Sequence, residues 1–288
     1  MLGWIDTLIQ GILLGGLYSL YATGLSVIFG IMRLVNLAHG DLIVLGAFLI
    51  LALTAAGVPL GVACAIVVPV MFALGYLLQS VLLNRALGRN ILPPLLITFG
   101  LSIIVQNGLL ETFSADTRRL DVGALQSASL PIGGGIAVGV MPLICLAAAI
   151  AVILALNGIF YRTAVGRAFR ATSDDVEIAQ LMGINNRSIY ALTMGISLAV
   201  CAVAAFFLGT RANFDPSIGP ARLLYAFEAV IIGGLGSLWG TLAGGIVVGV
   251  AQTIGAHIDP EWQILSGHVA FLIVLVIRPR GLFPRAVD

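Results

Sequence analysis

The sequence predicts an all-α bundle of membrane-spanning helices in a single domain, residues 1–288, and three observations carry that prediction. Of the 288 residues 60% are apolar and 9% are charged, with a mean hydropathy of +1.10, whereas soluble domains carry about 25% charge. Seven long runs contain no Asp, Glu or Arg: Thr7–Met32, Leu42–Asn84, Asn90–Leu110, Val122–Tyr161, Ser188–Thr210, Ala229–Ile258 and Trp262–Ile277. The second run is interrupted by Ala-Gly-Val-Pro at 56–59, a turn signal that divides it into two helices. A crossing needs about 20 apolar residues, so the runs read as about eight or nine membrane segments.

Thr7–Met32 has no basic start and no convincing cleavage site, so it reads as a spanning helix and not a signal peptide. Arginine placement orients the rest, because cytoplasmic loops are enriched in basic residues. With the 161–187 loop and the Arg278, Arg280 and Arg285 tail inside, Arg33, Arg85 and Arg89 also fall inside. Only Arg118, Arg119, Arg211 and Arg222 fall outside, in loops at 112–135 and 211–222. The stretch 223–258 must then contribute two passes or none. It is short for two passes, and Gly233, Gly234, Gly236, Gly240, Gly244 and Gly245 crowd its middle, so it reads as broken, shortened helices or a re-entrant pair. Such backbone persists at membrane depth only inside protein or beside a wet cavity.

Composition excludes several functions. All 14 basic residues are arginine, so the chain has no P-loop lysine and no Schiff-base lysine. A net charge of +1 without a basic run gives nucleic acid nothing to hold. Cys64, Cys145 and Cys201 lie in apolar runs without metal-ligand spacing and read as buried thiols. No nucleophile accompanies His39 and Asp41, and no paired intramembrane aspartates occur, so catalysis is not expected.

Three constellations remain. Asn36-Leu-Ala-His39-Gly-Asp41 interrupts apolar sequence, and a helix that starts after such a break offers free N–H groups and a positive dipole end. Asn36, His39 and Asp41 are therefore expected to line a translocation path, with a cytoplasmic turn as the plain alternative. Glu228 borders a long uncharged run, where an ionised acid costs about 2.5–3.5 kcal/mol to insert; it is expected to join the translocation pathway, facing a water-filled cavity near the outer half of the bundle, with a solvated place at the outer interface as the plain alternative. Gln106, Asn107, Gln252 and His268 are read as helix-to-helix hydrogen-bonding groups.

The third constellation lies in the 161–187 loop. A helix of about ten residues is expected to start at Asp174, with Ser173 or Asp174 as cap and Asp174, Asp175 and Glu177 in its first turn. Gly183 supplies a left-handed stop. Its stripe of Ile178, Leu181 and Met182 needs a partner's groove; otherwise the helix lies on the membrane surface, which its acidic first turn disfavours.

Three long motifs in order carry a resemblance. GLYSLYATGLSVIFGIMRLVNLAHGDLIVLGAF from Gly16, GRAFRATSDDVEIAQLMGIN from Gly166, and AFEAVIIGGLGSLWGTLAGGIVVGV from Ala226, followed by RPRGLF, resemble the LivH-type permeases of branched-chain amino acid ABC importers. The resemblance implies a type II-like importer bundle in the bacterial inner membrane, in contact with lipid. It implies a homologous second permease, two cytoplasmic ATPases that use ATP and Mg, and a periplasmic binding protein; no cofactor is expected on this chain. In the family, Leu224 or Tyr225 is often replaced by a basic residue, Glu228 by a small residue and Gln252 by glutamate. The resemblance leaves open branched-chain or other amino acids, urea, short amides or aromatic acids, and a hetero- or homodimeric pair of permeases. The rival reading is a self-sufficient channel or secondary transporter for a small polar solute such as urea or an amide.

Overall fold

The computed structural model describes residues 2–86, 92–133 and 136–283; Arg89 and Arg285, expected on the inside, lie outside that set. Helix α1 (Leu2–Met32) is followed by α2 (His39–Ala55) and α3 (Leu60–Leu77). The last continues through a π-helical turn, Leu78–Leu83, into α4 (Asn84–Ala86). After α5 (Leu92–Phe113) come a 3₁₀ turn (Gly123–Gln126) and an antiparallel hairpin of β1 (Ser129–Gly133) and β2 (Ile136–Gly139). The helices α6 (Val140–Arg162), α7 (Ala164–Asp174), α8 (Val176–Leu181), α9 (Asn186–Arg211), α10 (Gly219–Gly233), α11 (Leu238–Ile258) and α12 (Trp262–Ile277) complete the chain.

Among the described residues six helices are long and apolar enough to cross a membrane, and α2 and α12 are shorter apolar helices. The turn expected at 56–59 separates α2 from α3, with Gly57 at φ 88°. The 112–135 loop departs from the all-α expectation, because it carries the 3₁₀ turn and most of a hairpin.

Small residues set the packing. In lipid the hydrophobic effect does not drive helices together, so close backbone approach must supply the contact. Helices α1 and α11 do this along their length: a Cβ on Gly15 would stand 2.4 Å from Ile246 Cα, and one on Gly249 2.4 Å from Gly11 O. The glycine spacing in 236–249 thus serves packing. The pair is antiparallel, since Thr7 and Trp4 meet His257 at one end while Gly30 meets Gly236 at the other.

The Gly30 end gathers α7, which bonds to Gly30 O through Ser173 Oγ, together with Arg187, whose carbonyl accepts from Asn84. The tail joins it: Leu282 and Phe283 donate their N–H groups to Ile232 O and Gly233 O, satisfying carbonyls that the end of α10 leaves unpaired. This is the arginine-rich end. At the opposite end, Arg118 and Phe214 exchange backbone hydrogen bonds between the two outer loops.

The stretch 223–258 resolves into unequal parts. Helix α10 has 15 residues and α11 has 21, so α11 is not shortened as expected. They are separated by Gly234 (φ 105°) and Gly236 (φ 80°), after which Ser237 caps α11 by accepting from Gly240 N–H. Arg222, expected in the outer loop, lies instead in the first turn of α10.

Candidate functional site

Helix α1 ends at Met32, and Arg33, at φ 52°, turns the chain back into the bundle. The side chain of Asn36 holds the return by accepting the N–H of Ala38 at 3.1 Å. His39 then lies 2.8 Å from the carbonyl of Tyr21 through Nε2; since a carbonyl only accepts, Nε2 carries the proton. Tyr21 lies about 16 Å along α1 from Met32 at 1.5 Å per residue, so α2 begins inside the bundle.

A second helix begins at the same depth. A Cβ on Gly40 would stand 2.0 Å from Gly219 O, and one on Gly219 would stand 1.9 Å from Asp41 Oδ1. The starts of α2 and α10 therefore meet backbone to backbone, which only residues without side chains allow. Asp41 fixes the junction: Ser102 Oγ donates to Oδ2 at 2.5 Å and Gln106 Nε2 to Oδ1 at 2.9 Å. Its carboxylate ties α2 to α5 and packs against the start of α10 at Gly219.

The sequence brings Asn36, His39 and Asp41 to one place, and all three are at most 1% exposed. The positive end of a broken helix favours an anion. In this conformation Asp41, in the first turn of α2 and against the start of α10, supplies the negative charge such ends favour. Ser102, which escapes a reading that starts from charge, is the residue that sequence reasoning missed.

Glu228 departs from its expected place. It is 2% exposed, and its Oε1 is hydrogen bonded to His268 Nδ1 of α12, so it faces neither a wet cavity nor the outer interface. Arg222, the partner considered from sequence, instead lies over the ring of Tyr225 at 5.9 Å. Of the other intramembrane polar groups, Gln252 accepts from Tyr18 Oη at 2.6 Å across α1 and α11. Asn107 bonds back to Ile103 O of its own helix, not to a neighbour.

The 161–187 loop is built differently from its sequence reading. It holds two helices, α7 and α8, and the expected start at Asp174 is the end of α7. Thr163 caps α7 through Gly166 N–H, and Phe169 anchors it in a cluster with Val27, Ile31, Leu156 and Ile189. Asp175, not Ser173 or Asp174, caps α8, accepting from the N–H groups of Glu177 and Ile178 at 2.9 Å. The expected helix of about ten residues is thus the six of Val176–Leu181. Gly183 has φ 85°; its N–H reaches Gln180 O while that of Ile184 reaches Ala179 O, the paired bonds of a left-handed stop. Asn186 Nδ2 ties α8 to α9 through Val176 O. On this fixed element Ile178, Leu181 and Met182 are 59%, 86% and 78% exposed.

Residues 7–277 match the family described as the branched-chain amino acid transport system permease component. The chain is 31% identical to the high-affinity branched-chain amino acid transport system permease protein BraD of Pseudomonas aeruginosa, over 98% of this chain and 96% of that one. It is 28% identical to the corresponding LivH of Escherichia coli K12, with the same coverage. Among solved structures, PsaBC from Streptococcus pneumoniae in complex with Fab shares the fold, with a TM-score of 0.52, 15% identity and 97% of both chains covered. A multi-pass bundle, a broken-helix junction and a match over nearly its whole length place the chain in one group: it belongs to the family of branched-chain amino acid transport system permease components.

Proposed function

We propose that the chain forms, with a homologous second permease, the translocation pathway of an ATP-binding cassette importer for branched-chain amino acids in the bacterial inner membrane. A periplasmic binding protein delivers the substrate, and two ATPase subunits bind ATP and Mg; this chain binds neither. The chain is a transport permease and not an enzyme. The observation that carries the reading is α8, a short helix capped at both ends whose three apolar side chains project from the arginine-rich end. By the positive-inside rule that end is cytoplasmic, where ATPases dock. A self-sufficient secondary transporter has no use for such an element.

In this reading Asp174, Asp175 and Glu177 face basic residues of an ATPase, and Ile178, Leu181 and Met182 enter its groove, with Gly183 holding the stop. We assign the eight or nine membrane segments expected from sequence to the six long helices, α2 and α12, with α10 as a half-helix that enters from the outer side. The pathway runs along the junction of α2 and α10, positioned by Asn36, His39 and Asp41, and Glu228 steadies α10 against α12. Such unwound junctions are where transporters form their substrate sites.

A cysteine at position 36 tests this. Asn36 is 1% exposed here, so the thiol is expected to resist a water-soluble maleimide in the resting complex and to react when ATP and binding protein are supplied. Labelling that is the same in both states would remove the junction from the pathway.

A further inference from the structure

A cavity of about 310 Å³ opens at the arginine-rich end between α1, α6, α7 and α11. Its floor is Ser26, 1% exposed, whose buried Oγ has no hydrogen-bond partner among the described residues. A buried hydroxyl without a partner is costly, and one that borders a cavity points to a polar occupant. Asn157 and Arg170 supply further polar groups. Arg170 is held in place, since its guanidinium donates to Phe160 O and lies over the ring of Tyr161 at 5.2 Å.

The cavity continues sideways into a groove lined by Leu154, Asn157, Gly158, Tyr161, Arg162 and Trp239. Leu154, Gly158 and Tyr161 follow one another at helical spacing on α6, and a Cβ at Gly158 would meet nothing within 4 Å. This leaves a bare apolar track running from Arg162 toward the middle of the span. Tyr161 and Trp239, 67% and 46% exposed, stand at the ends of their helices, where aromatic side chains mark the headgroup level. Among the described residues, the lining of the cavity and groove has two arginines and no carboxylate.

We propose that this pocket binds an anionic phospholipid, with the phosphate at Arg162 and Arg170, headgroup hydroxyls at Asn157 and Ser26, and an acyl chain along Leu154 and Gly158. The chemistry is that of basic pockets between spanning helices, which select acidic headgroups. A zwitterionic lipid would bring its cationic headgroup toward the two arginines with no acid to receive it. The inference needs only a membrane-spanning chain and stands apart from the proposed substrate.

The chain has three tryptophans, and Trp4 and Trp262 lie at the opposite end of the bundle. In a Trp4→Phe, Trp262→Phe background Trp239 is therefore the sole reporter. The chain alone is reconstituted in phosphatidylcholine vesicles carrying brominated phosphatidylglycerol or, in parallel, brominated phosphatidylcholine. Phosphatidylglycerol is expected to quench Trp239 with an apparent affinity at least about five-fold higher, and Arg162→Gln to reduce that preference by about five-fold. Ser26→Met, which fills the cavity and leaves both arginines, should also reduce it. Equal quenching by the two lipids, or a preference untouched by both substitutions, would overturn the site. So would displacement by soluble glycerol 3-phosphate, which assigns the pocket to a free phosphoester.

Discussion

Gly219→Ala is expected to destabilise the bundle by about 3 kcal/mol or more, at the upper end of what overpacking costs, and to abolish transport. The added Cβ would stand 1.9 Å from Asp41 Oδ1, 2.7 Å from its Cγ and 2.9 Å from its Cα. A flexible side-chain tip could swing away; this carboxylate cannot, because Ser102 and Gln106 hold both of its oxygens. Moving it would break the hydrogen bonds to Ser102 and Gln106 or push α2 away from α10. Gly40→Ala should behave alike, since its Cβ would meet Gly219 O at 2.0 Å, whereas Gly100→Ala, with nothing within 4 Å, should be silent. Thermal unfolding in detergent reads all three. A wild-type midpoint for Gly219→Ala would mean that the two helix starts do not touch.

Leu181→Asp should lower recovery of ATPase subunits with the membrane complex by about thirty-fold, the equivalent of the roughly 2 kcal/mol expected when a buried interface anchor is lost. Leu181 is 86% exposed on the isolated chain, so aspartate there costs the free permease nothing in packing. Membrane insertion and unfolding midpoint should match the wild type, which separates a docking defect from a folding one. Copurification followed by immunoblotting gives the ratio. Full recovery together with normal substrate-stimulated ATP hydrolysis would reduce α8 to an ordinary surface turn.

Much of this architecture was legible because membrane insertion writes itself into composition. The runs bounded by charge located α1, α5, α9 and α12 closely, and Ala-Gly-Val-Pro located the turn between α2 and α3. Local chemistry was equally readable at Gly183, where only backbone rules operate. What escaped was pairing across the bundle. Glu228 and Arg222 are near in sequence, yet His268, forty positions away, takes the acid, because helix rotation and depth decide which side chains meet. The cap at Asp175 was missed by one residue because α7, ending at Asp174, shifts the break. Asp41 illustrates both cases: its place at a helix start could be read from sequence, whereas its embrace by Ser102 and Gln106 required α5 to be set beside it.

The most direct test of the account is uptake. Vesicles holding this permease with its partner permease, ATPases and binding protein are loaded with ATP and Mg and given labelled leucine outside. Accumulation above the external concentration is expected with ATP and not with a non-hydrolysable analogue. Uptake by this chain alone, without ATP, would contradict the account and return the protein to the class of self-sufficient transporters.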